Sequence, residues 1–237
     1  MGARWFEVEG ERFFARVWGA ADLPPLLLLH GFPEYSGAWE EVAERLSEQY
    51  YCIAPDQRGY GQSPAPDAVT DYAPARLVAD MAAIVTQLDA GPIAVVGHDW
   101  GSAVAYGLAI LRPELVEKLV VLNGVHPGPF QRALAAGGAQ SAASQYIDWL
   151  RADGSEEVLA AADFAKLRGL FAAHMEMGWL SGERLAAYQA EWARPGRMRG
   201  MVNWYRASPM RVAKPGEPLR DVPAPNPNRL RITCPHL

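Results

Sequence analysis

The sequence predicts an α/β fold in which a mostly parallel sheet carries helices on both faces and an inserted helical lid. Short apolar runs alternate with helical stretches as far as Asn123, a pattern typical of parallel strands buried on both faces. Beyond Asn123 the alternation stops, and the chain becomes rich in alanine and helical in pattern. Half of the 237 residues are hydrophobic, which is enough for a sizeable core.

Residues 1–126 form the predicted core, which opens with a hairpin. Two extended runs between Trp5 and Trp18 meet at the turn Glu9-Gly10-Glu11. Apolar periodicity then predicts, in order, strand Leu26–Leu29, a helix near Trp39–Ser47, strand Tyr51–Ala54, helix Leu77–Leu88, strand Ile93–Val96, helix Ala103–Leu111 and strand Leu119–Leu122. Catalytic residues are expected at the carboxyl ends of these strands.

Residues 127–206 form the predicted helical lid, which glycine and proline interrupt at Gly137-Gly138, Gly154 and Pro195-Gly196. Residues 207–237 are predicted to be an extended connector back to the core, since prolines recur at Pro209, Pro215, Pro218, Pro223, Pro225 and Pro227. From Arg231 the pattern indicates the start of a further core strand. We expect the last strands and helix of such a core to be missing from the chain.

The segment Gly97-His98-Asp99-Trp100-Gly101 lies between a predicted buried strand and a predicted helix. This is the strand-turn-helix setting of the G-x-S-x-G nucleophile elbow, with aspartate in place of serine. The turn is tight, so the small residues Gly97 and Gly101 are needed on either side of the nucleophile. An aspartate at this position is expected to attack carbon and form an alkyl ester.

The segment His30-Gly31-Phe32-Pro33-Glu34 follows strand Leu26–Leu29, where a loop can supply a backbone N–H to an oxyanion. We assign the two oxyanion donors to the backbone N–H groups of Phe32 and Trp100. A sharp turn is needed to present the first of them, so a cis peptide bond is expected between Phe32 and Pro33. His30 and His98 are expected to point away from the nucleophile and to have hydrogen-bonded structural roles.

Three motifs together resemble the epoxide-hydrolase and haloalkane-dehalogenase branch of the α/β-hydrolases: His30 to Glu34, Asp56-Gln57-Arg58-Gly59-Tyr60-Gly61-Gln62-Ser63, and Gly97 to Gly101. The similarity extends over nearly the whole chain. It implies an α/β-hydrolase fold and a hydrolase whose Asp99 forms an ester that water later cleaves. His-Asp-Trp-Gly is shared by both groups, so other residues must distinguish them.

Two lid tyrosines favour the epoxide hydrolases. The segment Asn203-Trp204-Tyr205-Arg206 is similar to the end of an epoxide-hydrolase lid, and Tyr146 falls where the first lid tyrosine would lie. The resemblance implies that both hydroxyls act as general acids on the oxygen of a small apolar epoxide, whereas an alkyl halide needs no such acid. It also implies that substrate is contacted by Phe32, Pro33, Trp100, Trp149 and Trp204.

Two alternatives remain open. A haloalkane dehalogenase would pair the indole of Trp100 with a second halide donor at the position of Phe32, whose side chain has no N–H. A noncatalytic remnant that only binds small apolar molecules is the other alternative. The family's catalytic histidine lies near the C-terminus, and none of the five histidines, His30, His98, His126, His174 and His236, is expected to fill that role. Asn123, where some relatives carry the acid, cannot ionise.

Charge and motif content exclude several other functions. The 22 basic and 27 acidic residues form no basic stripe for nucleic acid or an anionic membrane, and no apolar run is long enough to span a bilayer. Neither metal-ligand spacing nor a phosphate or dinucleotide loop occurs, so no metal or cofactor is implied. With only two cysteines and no signal peptide, we expect a cytoplasmic protein.

Overall fold

The computed structural model describes residues 1–172, 176–222 and 227–237. His174 and the prolines Pro223 and Pro225 of the predicted connector lie outside the described residues.

A six-stranded sheet forms the centre of the core, in the order β1-β2-β4-β3-β5-β6. Its strands are β1 (Gly2–Val8), β2 (Glu11–Trp18), β3 (Pro25–Leu29), β4 (Tyr51–Pro55), β5 (Ile93–His98) and β6 (Val116–Leu122). The hairpin β1-β2 is antiparallel and joins β4 in antiparallel register, whereas β4, β3, β5 and β6 are parallel. The predicted hairpin and mostly parallel sheet are confirmed.

Nine α-helices are present in the described part of the chain. Three belong to the core: α1 (Glu40–Leu46), α2 (Pro74–Thr86) and α3 (Trp100–Leu111). The segment predicted to be the lid, called the lid below, contains α4 (Pro127–Ala135), α5 (Ala139–Ala143), α6 (Tyr146–Arg151), α7 (Ser155–Ala172), α8 (Gly182–Trp192) and α9 (Arg197–Ala207). Short 3-10 turns span Ser36–Trp39, Val69–Tyr72, Pro113–Leu115 and Pro227–Leu230. No helix of the described residues is long and apolar enough to cross a membrane.

The two faces of the sheet bury alternate residues of the same strands, as the two-residue period of a strand requires. On one face Leu26 and Leu28 pack with Ala43 of α1 in a small cluster. On the other face Leu27 and Leu29 join the main core with residues of α2, α3 and the lid. Because both faces are covered, β3 is apolar at every position from Leu26 onward.

The lid is irregular where the sequence predicted only a helical region. Helix α7 is interrupted near its middle, since Ala161 is extended and the next three residues have positive φ. After α9 the chain runs along the end of α4, where the N–H of Ala213 donates to the carbonyl of Leu134 at 2.9 Å. The division of this part of the chain into lid and connector stays a prediction.

The strand predicted from Arg231 is present only as a short parallel bridge to β6. The N–H of Leu119 donates to the carbonyl of Pro235 at 3.0 Å, and the N–H of Leu237 donates to the carbonyl of Leu119 at 3.0 Å. Pro235 itself has no N–H to donate, which limits the pairing.

A buried ion pair fastens α2 to the loop after β4. Arg58 is 2% exposed and donates to both carboxylate oxygens of Asp80, at 2.7 and 2.9 Å, while Asp80 is 1% exposed. A further bond at 2.7 Å joins Arg58 to Glu11 of β2. The guanidinium therefore links the hairpin, the loop and the helix in one buried network.

We expect Asp80→Asn to destabilise the fold, because it leaves the buried guanidinium without its main counter-charge. Loss of one partner of a buried pair costs about 3–5 kcal/mol. Chemical denaturation should show this loss, whereas Glu48→Gln at an exposed position of the core should change the free energy of unfolding by less than about 0.5 kcal/mol. Equal effects of the two substitutions would contradict the structural role of the pair.

Candidate active site

Asp99 lies in a strained turn between β5 and α3. Its backbone has φ of 50° and ψ of −117°, a conformation that non-glycine residues rarely adopt. A Cβ atom on Gly97 would lie 2.5 Å from the carbonyl oxygen of Gly101, and one on Gly101 would lie 2.2 Å from that of Leu29. The chain crosses itself too closely for side chains there, which supports the nucleophile-elbow interpretation.

Hydrogen bonds hold this turn in place. The N–H of Asp99 donates to the carbonyl of Leu122 at the end of β6 (3.1 Å), and the N–H of Ser102 donates to the carbonyl of Asp99 (3.0 Å). The hydroxyl of Ser102 donates to the carbonyl of Gly97 at 2.7 Å. The elbow therefore projects the Asp99 side chain from the carboxyl end of the sheet.

The loop after β3 meets Asp99 directly. The N–H of Phe32 donates to Oδ1 of Asp99 at 2.8 Å, and a Cβ on Gly31 would lie 2.5 Å from the Cβ of Asp99. The peptide bond between Phe32 and Pro33 is cis, as predicted. The backbone N–H of Trp100 also donates a hydrogen bond to the Asp99 carboxylate. Both predicted backbone donors are thus at the Asp99 carboxylate.

Opposing effects act on the pKa of Asp99. Burial raises it, and the hydrogen bonds from Phe32 and Trp100 lower it, with a net rise above the ordinary value. The neighbouring charges of His98 and Glu34 act in opposite directions. The carboxylate is therefore weakly solvated and held by backbone dipoles, which suits a nucleophile.

His30 and His98 make hydrogen bonds away from the Asp99 carboxylate, in agreement with their predicted structural roles. His30 is buried, with Nδ1 3.0 Å from the carbonyl of Gly31 and Nε2 accepting from the N–H of Gln57 at 3.1 Å. Burial lowers the pKa of His30, so its ring stays neutral. Nδ1 of His98 lies 2.8 Å from Oε2 of Glu34, which raises the pKa of His98 despite its burial.

Glu34 lies at the site, although the sequence analysis assigned no role to it. Its Oε2 accepts from the N–H of Gly31 at 3.1 Å as well as contacting His98. One carboxylate oxygen thereby joins the loop after β3 to the residue that precedes Asp99. In the sequence, only its position at the end of the His30 to Glu34 motif indicated that Glu34 would lie near the site.

The two lid tyrosines converge on the same place. The ring of Tyr205 contacts Phe32 and Trp100 edge to face, each at 5.2 Å between centroids, and lies 6.2 Å from the ring of Tyr146. The Tyr205 ring is buried, whereas Tyr146 is 38% exposed. Burial and the charge of Asp99 raise the pKa of Tyr205 well above its ordinary value and that of Tyr146 to about 12. Both hydroxyls therefore keep their protons at neutral pH.

Trp204 and Trp149, which were also predicted to contact substrate, lie in different surroundings. Trp204 is 1% exposed, packs on Trp100 at 5.6 Å and donates its indole N–H to the carbonyl of Arg58 at 2.8 Å, which favours a supporting role behind Trp100. The ring of Trp149 lies under the ammonium of Lys166 at 5.3 Å. Direct contact of Trp149 with substrate stays a prediction.

The lid contacts the core through Trp192 and Gly200, to which the sequence analysis assigned no role. The indole N–H of Trp192 donates to the carbonyl of Pro33 at 2.6 Å, so Pro33 is buried against the lid. Helix α9 approaches the loop after β4 so closely that a Cβ on Gly200 would lie 2.8 Å from Cα of Gly59. No sequence motif indicates these contacts, because their partners lie more than 130 residues apart.

Cavity size does not identify this site. A cavity of about 550 Å³ lies beside α7 and the start of α9, and one of about 390 Å³ lies near the start of β3; neither is lined by Asp99. Within the described ranges no group of three or more His, Cys, Asp or Glu side chains could hold a metal ion. The site is defined by the geometry around Asp99.

Comparison with known proteins agrees with this geometry. A model of the alpha/beta hydrolase fold family matches residues 24–203. The chain is 36% identical over 191 residues to the AB hydrolase superfamily protein YfhM of Bacillus subtilis, a match that covers 80% of this chain and 67% of that one. It is 34% identical over 207 residues to epoxide hydrolase 4 of Homo sapiens, covering 83% of this chain and 56% of that protein. The chain thus spans little more than half the length of this human relative.

Solved structures give the same result. A structure described among novel epoxide hydrolases of the alpha/beta hydrolase superfamily from hot-environment metagenomes matches with a TM-score of 0.88 and 32% identity, covering 100% of this chain and 80% of that one. An inhibitor complex of Bacillus megaterium epoxide hydrolase matches with a TM-score of 0.80 and 29% identity, covering 86% of this chain and 71% of that one. The chain belongs to the α/β-hydrolase family, on the branch that contains the epoxide hydrolases.

Proposed function

We propose that this chain carries the epoxide-opening chemistry of an epoxide hydrolase, with Asp99 as nucleophile and Tyr146 and Tyr205 as acids. The strongest support is the position of Tyr205, whose ring contacts both residues that supply the backbone donors, Phe32 and Trp100, and faces Tyr146. Two phenols near a partly buried carboxylate suit the ring opening of an epoxide. The substrate would be a small apolar epoxide, in keeping with the aromatic residues around the site.

In the first step a carboxylate oxygen of Asp99 attacks the less hindered carbon of the epoxide. A carbon–oxygen bond forms to Asp99, and the ring carbon–oxygen bond breaks with its electron pair going to the epoxide oxygen. That oxygen takes a proton, or a strong hydrogen bond, from Tyr205 and Tyr146. General acids at this position lower the barrier because they stabilise the developing alkoxide.

In the second step a base takes a proton from water while the water oxygen attacks the carbonyl carbon of the Asp99 ester. The bond between that carbon and the ester oxygen breaks, and the released oxygen takes the proton from the base, so that the diol leaves and the Asp99 carboxylate is restored. The N–H of Phe32, which is 2.8 Å from Oδ1, is positioned to stabilise negative charge on the ester oxygen, together with the N–H of Trp100. This attack needs a base to activate the water. None of the five histidines is expected to supply this base, so we expect the ester to accumulate.

An alkyl halide is a less suitable substrate. Departing halide needs N–H donors, and at the position of Phe32 the side chain offers none. Tyr205 and Tyr146 would have no acid role in that reaction. Chloride release from a chloroalkane, with no reaction of an epoxide, would reverse this preference.

We expect a terminal aryl epoxide such as styrene oxide to add one substrate mass to the intact protein, because Asp99 can attack without a base. Mass spectrometry should detect the adduct, and peptide mapping should place it on Asp99. Asp99→Asn should abolish labelling, since an amide is a poor nucleophile. Steady multiple turnover would contradict the expected accumulation, and a folded protein that binds the epoxide without labelling would favour a noncatalytic binding role.

We expect Tyr205→Phe to slow labelling of Asp99 by about a hundredfold, because it removes an acid while keeping the ring that packs on Phe32 and Trp100. The rate of adduct formation in a single turnover measures this effect. Tyr50→Phe, a partly exposed position in the core, is the matched control and should label at the original rate. Unchanged labelling by Tyr205→Phe would remove this residue from the mechanism.

The labelling rate should fall at low pH and stay constant into the alkaline range. Asp99 reacts as a carboxylate and its pKa is raised by burial, so the acid limb should lie above the ordinary aspartate pKa of about 3.9. The pKa values of both tyrosines are raised, that of Tyr146 to about 12, so no loss is expected up to at least about pH 10. A decline between pH 7 and 9 would point to an acid other than these tyrosines.

A further inference from the structure

Helix α8 and helix α9 of the lid contact three core residues in the loop after β3. The indole N–H of Trp192 donates to the carbonyl of Pro33 at 2.6 Å. The ring of Tyr188 contacts that of Tyr35 at 5.1 Å. On the other side of the loop the ring of Tyr205 contacts that of Phe32 at 5.2 Å. This loop is therefore fixed by the lid as well as by the core.

The hydrogen bond from Trp192 is well protected. Trp192 is 2% exposed, and its ring is surrounded by Phe164, Tyr188 and Phe171 at centroid distances of 5.5, 5.7 and 6.5 Å. The carbonyl that accepts this bond follows Phe32 directly, and the N–H of Phe32 lies 2.8 Å from Oδ1 of Asp99. A shift of Pro33 would therefore displace the donor at the nucleophile.

We infer that Trp192 is a positioning residue, which holds the Phe32 N–H on the Asp99 carboxylate only while the lid is docked on the core. When the lid docks on the core, the Phe32 N–H is placed at the Asp99 carboxylate in the same step. A substrate that enters between lid and core would encounter an incomplete site until the lid returns. The effect on catalysis rests on the proposed function. The positioning itself involves only Trp192, Pro33, Phe32 and Asp99, and it does not depend on that function.

Trp192→Phe removes the N–H and keeps an aromatic ring. We expect the Asp99 pKa to rise by about one unit or more, the shift that corresponds to losing one hydrogen bond to a charged group. Labelling aspartate with ¹³C at the carboxyl carbon and titrating by NMR measures this, with the Asp99 signal assigned by its loss in Asp99→Asn. Labelling by the epoxide should slow by about tenfold, with its acid limb moved to higher pH by the same shift.

The substitution removes none of the other charged or titratable groups that face Asp99. They are His98, Glu34, Tyr60, Tyr146 and Tyr205. Trp18→Phe is the matched control, because Trp18 is buried in the core and its indole N–H has no hydrogen-bond partner among the described residues. It should lower stability without moving the titration of Asp99. An unchanged Asp99 pKa in folded Trp192→Phe would overturn the inference.

Hydrogen exchange in the unaltered protein tests the inference even if Trp192→Phe fails to fold. The indole N–H of Trp192 and the amide of Phe32 should exchange with the same opening free energy, since one opening releases both. Faster exchange at Trp192 with continued protection at Phe32 would contradict the coupling. Neither NMR measurement uses an epoxide, so absence of labelling would count against the proposed function and leave the test of Trp192 intact.

Discussion

The close approach of two loops at the carboxyl end of the sheet is the constraint on which the site depends. Asp99 occupies a strained backbone conformation, and Gly31, Gly97 and Gly101 lie where any Cβ atom would collide with Asp99 or with the backbone. This closeness places the N–H of Phe32 at 2.8 Å from the carboxylate. The strain is offset by the buried sheet below it and by the bonds from Asp99 to Leu122 and from Ser102 to Gly97. A looser packing of the loops would leave a carboxylate without donors.

In the proposed mechanism the core and the lid contribute different parts of the chemistry. The core holds the proposed nucleophile, Asp99, and both proposed backbone donors, and because these dipoles are fixed by the loops they need little reorganisation during the reaction. The lid contributes the phenols of Tyr146 and Tyr205. The raised pKa of each phenol and of Asp99 has the same first cause, burial.

Docking of the lid relies on side-chain N–H groups that donate to backbone carbonyls of the core. Trp192 donates to Pro33 and Trp204 to Arg58, both from buried rings. Such bonds are specific in direction, and each satisfies a backbone carbonyl of a buried core residue. Arg58 in turn is held by Asp80, so the surface on which the lid rests is itself fastened to α2. The lid is therefore positioned by the same loops that build the site.

The sequence by itself determined the alternation of strands and helices, the hairpin, the elbow at Asp99 and the loop at Phe32, because each depends on short-range periodicity, glycine positions or a turn. It also indicated Tyr205 and Tyr146 through resemblance. Only the tertiary structure decided that Trp204 lies buried behind Trp100, that Trp149 lies under Lys166, that α7 is interrupted, and that Trp192 meets Pro33. These features depend on contacts between residues far apart in the chain or on how the lid helices pack together. Local sequence preferences for helix, strand or turn therefore cannot specify them.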